Sequence, residues 1–95
     1  AGLFGTAIDL AKLGQMWLQR GAYAGQTYFK PETIDRFAAR QYDNSRRGIG
    51  WDKSTPGDYT GPTSAYASPR TFGHTGFTGT CIWVDPEFEL VYIFL

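Results

Sequence analysis

Two apolar runs at the end of this sequence constrain its fold most. "TGTCIWV" (78–84) and "ELVYIFL" (89–95) lie either side of the Asp85-Pro86 turn signal, and together they read as an antiparallel hairpin. Alternation puts Thr80, Ile82 and Val84 on one side of the first strand, with Cys81 and Trp83 on the other. In the second strand Leu90, Tyr92 and Phe94 oppose Val91, Ile93 and Leu95. Both faces are apolar, which places the hairpin inside a sheet covered on both sides. The pattern still runs at Leu95, so the sequence reads as part of something longer and exposes surface that a parent would bury.

Helical patterning supplies one cover. Thr6 caps a helix predicted over residues 6–20, Asp9 completes a weak capping box, and Gly21 stops it. Ile8, Leu10, Ala11, Leu13, Trp17 and Leu18 form its predicted core stripe, and Gly14 marks a close approach by another element. "GAYAGQTYF" is a turn with a short extended piece. Lys30-Pro31-Glu32 then opens a second helix with Ile34, Phe37 and Ala38 inward, ending near Gln41 or Tyr42. "YDNSRRG" reads as a polar loop and "GIGWDK" as a short strand with Ile49 and Trp51 on alternating sides. Ser54 to Arg70 holds three of the five prolines and reads as a loop too long to be a mere connection. The fold class is therefore α+β: two helices packed on an antiparallel sheet that contains the C-terminal hairpin.

Composition narrows the functions. With 42% hydrophobic and 19% charged residues the chain is globular, and its 95 residues allow one modest core. Aromatics at 17% exceed what such a core needs, so some rings should line a groove or a partner surface. Net charge is zero and Arg46-Arg47 is the one adjacent basic pair, read as a solvated loop with anion contact as the alternative, so no nucleic-acid partner is expected. A single cysteine and a single histidine exclude an internal disulfide and a four-ligand zinc site. No apolar run approaches the length of a membrane span. No cofactor is expected.

The histidine sits in "FGHTGFTGT". Gly73, Gly76 and Gly79 lack the spacing of a phosphate-binding loop, and His74 has no co-ligands for a metal. By pattern alone, a histidine at such a strand start is most often structural. The functional alternative is that small neighbours let a substrate reach backbone and imidazole together.

"GHTGFTGT" followed by "CIWVDPEFELVYIFL" resembles the C-terminal part of the serine β-lactamase and penicillin-binding-protein superfamily, and within it the class C-like, esterase-type hydrolases. Those enzymes carry S-x-x-K, a Tyr-x-Asn or Ser-x-Asn element, and K-T-G; His74-Thr75-Gly76 aligns with the third, with His in place of Lys. "AGLFGTAIDLAKLGQMWL", "KPETIDRF" and "RRGIGWDK" resemble, in order, segments lying between the second and third motifs. The chain is also similar to the β-lactamase-like domain of some bacterial glycoside hydrolase family 3 proteins.

The resemblance implies a partial β-lactamase-like fold, with residues 1–95 as the C-terminal part of one serine hydrolase domain. It implies acyl transfer by a serine activated by the S-x-x-K lysine and the motif-two tyrosine, with an ester, amide or β-lactam substrate. His74, Thr75 and Gly76 would form one wall of that site, and the Phe77 N–H would help hold the oxyanion. The Phe77 ring then lines the groove or joins the core. Histidine need not be cationic at neutral pH, which favours an esterase or peptidase-like role over recognition of a β-lactam carboxylate. Neither Ser-x-x-Lys nor Ser-x-Asn occurs, and "YDN" at 42–44 falls in the polar loop, outside the position of the second motif. The chain alone is therefore expected to be inactive. Its expected partners are the remainder of its parent domain and a small acyl or peptide-like substrate. A bacterial periplasmic or cell-surface location is likewise implied. The alternative is a non-catalytic module that binds a glycan or peptide, and exposed apolar surface predicts self-association of the isolated chain.

Overall fold

The computed structural model describes residues 2–95. Helix α1 (Ala7–Leu18) leads into a small hairpin, β1 (Ala22–Tyr23) and β2 (Gln26–Thr27), and then helix α2 (Pro31–Ala38). Strands β3 (Asp52–Lys53), β4 (Phe72–Thr75), β5 (Cys81–Asp85) and β6 (Leu90–Phe94) follow and form one antiparallel sheet in that order. This is the α+β arrangement expected, with the C-terminal hairpin as β5 and β6.

The Thr6 hydroxyl accepts the Asp9 N–H at 3.1 Å, so α1 starts where its capping sequence predicts. It ends two residues early, at Leu18, because Arg20 and Gly21 both take positive φ, 54° and 101°. A Cβ on Gly14 would lie 2.6 Å from the Val91 Cγ1, so the helix backbone rests on β6 as the glycine suggested. The predicted core stripe needs correction. Trp17 and Leu18 are half-buried and Met16 is buried, but Ile8 is 71% exposed and Leu13 41%. The sheet lies under the C-terminal half of the helix, leaving the front of the stripe uncovered.

Ala24 and Gly25 (φ 51° and 79°) turn β1 into β2, both central residues being left-handed as a two-residue hairpin of matching twist requires. Pro31 begins α2 as predicted, but the helix stops at Ala38 rather than near Gln41. Its last carbonyls are taken by non-helical donors: Ile49 N–H reaches Phe37 O at 2.9 Å, and the Gln41 amide reaches Arg36 O and Ala39 O. The same crossing displaces β3. Gly50 takes a φ of 74° and pairing begins only at Asp52, so "GIGW" is a bend and not the strand expected.

The sheet has two unequal faces. Toward α1 point Phe72, Ile82, Val84, Val91 and Ile93, with Phe72 and Val84 fully buried. Trp17, Trp51 and Phe72 meet edge to face at centroid distances of 5.0–5.7 Å. On the other face Trp83 is buried, while Leu90, Tyr92 and Phe94 are 54%, 52% and 56% exposed. The strands carry apolar residues on both faces as predicted, and the second face is only part-covered by the loop of residues 54–70.

That loop is anchored at its base. Ser54 Oγ donates to Ser68 O, and Ser68 gives both its N–H (2.9 Å) and its hydroxyl (2.6 Å) to Asp85, all three residues being buried. Asp85 also accepts the Glu87 N–H at 3.0 Å, closing the turn that "DPEFE" announces. No helix among the described residues is long and apolar enough to cross a membrane.

Candidate active site

Strand β4 presents His74 and Thr75 at its exposed end, while Phe72 and Gly73 are held in the sheet. Gly73 is required where it stands: a Cβ would collide with the Ile82 carbonyl and come within 2.6 Å of the Trp83 ring. β3 pairs only with Phe72 and Gly73, so β4 is an open edge alongside His74 and Thr75. On its other side His74 pairs with Ile82 and Thr75 with Cys81.

An arginine stands beside the His74 side chain. Arg47 Nη1 lies 3.1 Å from His74 Nε2, and His74 Nδ1 lies 2.6 Å from the Thr75 carbonyl oxygen. A guanidinium only donates, so Nε2 must be the acceptor and Nδ1 carries the proton given to Thr75 O. The pattern therefore assigns the Nδ1–H tautomer, with Nε2 turned toward the guanidinium. Arg47 also stands 3.7 Å from Asp52. Arg46 grips the same carboxylate through Nε at 2.6 Å and Nη2 at 3.1 Å, the planar two-point geometry that arginine favours. Asp52 is 4% exposed, and burial alone would raise its pKa. The Arg46 hydrogen bonds, the Lys53 N–H at 2.9 Å and the charges of both arginines outweigh that and hold it below the ordinary carboxylate value. Asp52 is thus an ionised anchor for both arginines, which stay exposed in the loop as expected and also make the anion contact held as the alternative.

Residues 76–80 turn the chain from β4 into β5. Gly76 N–H donates to Thr80 O at 2.6 Å and Gly79 N–H to Gly76 O at 3.1 Å, with Gly79 at φ 94°. The Phe77 N–H takes part in none of the hydrogen bonds among the described residues, and the Phe77 ring is fully exposed. The ring is therefore not part of the core of this chain.

His74, Thr75, Gly76 and Phe77 are contiguous at one end of the sheet, and the arginine pair joins them there. Sequence reasoning missed Arg47. Its signal was adjacency to Arg46 just before "GIGWD", whose Asp52 needs a buried counter-charge. The chain's serines do other work. Ser54 and Ser68 are buried at the loop base, Ser45 and Ser64 accept local backbone N–H groups, and none bonds to a histidine or lysine. Tyr42, of "YDN", is 72% exposed and bridges to Ser45. What the stretch offers is binding capacity: a cation beside His74, a free strand edge and an unused N–H within a few residues.

A family model described as Beta-lactamase matches residues 1–95. Proteins from Salmonella paratyphi B, Salmonella newport and Salmonella heidelberg, each named "Putative D-alanyl-D-alanine carboxypeptidase", are 35% identical over 95 residues. The match covers 100% of this chain and 22% of each relative, so the chain spans under a quarter of their length.

Proposed function

We propose, for a chain that belongs to the beta-lactamase family, that it supplies the His-Thr-Gly wall of a serine hydrolase active site whose nucleophile lies in another segment of its parent. The observation that carries this is the open β4 edge at His74-Thr75, with Arg47 on one side and the unpaired Phe77 N–H on the other. A substrate lying along that edge would place its acyl carbonyl near Phe77, where a backbone donor stabilises an oxyanion. Thr75 Oγ1 and the Arg47 guanidinium are then available to a carboxylate on the substrate. Arg47, a guanidinium that stays protonated, is the fixed positive charge of this wall.

The relatives' name supports a peptide substrate ending in D-alanyl-D-alanine, whose terminal carboxylate suits Arg47. In this reading the class C-like, esterase-type assignment describes the acyl chemistry, and a bacterial periplasmic or cell-surface location is part of the proposal. Assay of the longer protein with a D-alanyl-D-alanine peptide, a chromogenic ester and a β-lactam tests it. Turnover by the full protein but not by residues 1–95 is the expected result. Turnover by the isolated chain, or none by the full protein on all three, would sink it.

The aromatic content of 17%, with Phe77, Tyr92 and Phe94 exposed, favours a second reading, a non-catalytic module binding glycan or peptide, such as the appended domain of a glycoside hydrolase. A parent sequence without Ser-x-x-Lys upstream of Ala1 would select it. The exposed Leu90, Tyr92 and Phe94 belong, on either reading, against the rest of the parent domain, and their exposure supports self-association of the isolated chain.

A further inference from the structure

On the α1 face of the sheet, away from His74, a cleft of about 1000 Å³ separates the C-terminal half of α1 and α2 from β3 and the start of β4. Trp17, Leu18, Ile34 and Phe72 form its apolar part. Its charged lining is lopsided. Arg20 and Asp35 neutralise each other through a two-point pair, which leaves Arg40, Lys53 and Arg70 against Glu89.

Lys53 is the unusual member. It is 9% exposed, its ammonium stands 5.9 Å from the Phe72 ring centroid, and it donates to one acceptor, the Arg70 carbonyl at 3.2 Å. No carboxylate lies within salt-bridge distance of it among the described residues, and the Arg40 and Arg70 side chains make no ion pair or side-chain hydrogen bond there. An ammonium has three protons to give, so two of those on Lys53 are unused by the protein. Burial first, then the charges of Arg40 and Arg70, lower its pKa, and Asp85 offsets this in part. A buried cation facing two more cations is unfavourable when empty and favourable around an anion.

We propose that Lys53, Arg40 and Arg70 form a second binding site, distinct from the His74 wall, for a small multiply charged oxyanion of the phosphate or dicarboxylate type. The apolar floor contributed by Trp17 and Ile34 accommodates a carbon skeleton beside the charged group. Lys53 supplies the buried point charge, and the two arginines, both exposed at the cleft mouth, supply the planar forks.

The test is thermal unfolding of the full-length protein in millimolar inorganic phosphate or succinate, against sodium chloride at the same ionic strength. Either oxyanion should raise the unfolding midpoint beyond the chloride control, and the one that does so identifies the ligand type. Arg40→Gln and Arg70→Gln change exposed side chains and should each weaken binding about tenfold, since a hydrogen bond to a charged group contributes about 1.5 kcal/mol. Lys53→Met should abolish the shift. Equal shifts in chloride and oxyanion, or an oxyanion shift unchanged in both arginine variants, would overturn the proposal. The readout is stability and not turnover, so this result stands apart from the acyl-transfer reading.

Discussion

Arg47 and His74, 27 residues apart in sequence, meet through Nη1 and Nε2 at 3.1 Å, and the contact specifies both the tautomer of the histidine and the location of the site's positive charge. If Arg47 receives a substrate carboxylate, Arg47→Gln in the full protein should lower kcat/KM for a carboxylate-terminated peptide by about tenfold to a hundredfold. A neutral ester should be affected much less. Equal losses on both substrates would show that Arg47 acts only on the fold.

Restoring the lysine of the parent motif should not restore its chemistry. His74→Lys sets an ammonium against the Arg47 guanidinium, so the single variant should be less stable and Arg47→Gln should relieve it. The site is exposed, which limits the coupling to under about 1 kcal/mol and makes it shrink with salt. A double-mutant cycle at two salt concentrations measures it, and a coupling of zero at low salt would contradict the contact.

Asp85 carries the pH dependence of the loop anchor. Burial would raise its pKa, but the Ser68 hydroxyl and N–H, the Thr71 hydroxyl and the Glu87 N–H outweigh this and lower it. A carboxylate depressed in the folded state stabilises above its unfolded pKa, about 3.9, and loses that contribution as pH falls through the lower folded value. Asp85→Asn should therefore cost about 2 kcal/mol at neutral pH, because an amide cannot accept from every donor there, and less as the pH falls toward 2. Denaturant midpoints across pH 2–7 check the sign.

Gly73→Ala should be the most damaging small change in β4. The added methyl meets the Ile82 carbonyl and Trp83 Cα, neither of which can rotate away, so strand pairing must open. A loss of about 3 kcal/mol or failure to fold is expected, read by chemical denaturation.

The isolated 95-residue chain should self-associate through the face of Leu90, Tyr92 and Phe94. Sedimentation of the wild type and of a Tyr92→Ser, Phe94→Ser variant should show oligomers in the first and monomer in the second. A monomeric wild type at high concentration would refute it.

Much of this was legible in the residues because it depends on neighbours. The Thr6 cap, the Pro31 start, the Asp85-Pro86 turn and the alternation in β5 and β6 are local, and each appears where its chemistry predicts. The ordered series ending in His74-Thr75-Gly76 was specific enough to indicate the family. Three features depended on distant partners. Ile8 and Leu13 have helical spacing, but whether a stripe is buried depends on which half of the helix the sheet reaches. "GIGW" has strand composition, but Ile49 N–H is used by the end of α2, so the chain bends before it pairs. Arg47 looked like a solvated charge because its neighbour His74 lies 27 residues away in sequence. Local periodicity determined the elements and the apolar faces of this protein. Only the fold, by laying the arginine pair alongside β4, decided that Arg47 stands beside His74: a contact depends on distance in space, which a separation of 27 residues along the chain does not encode.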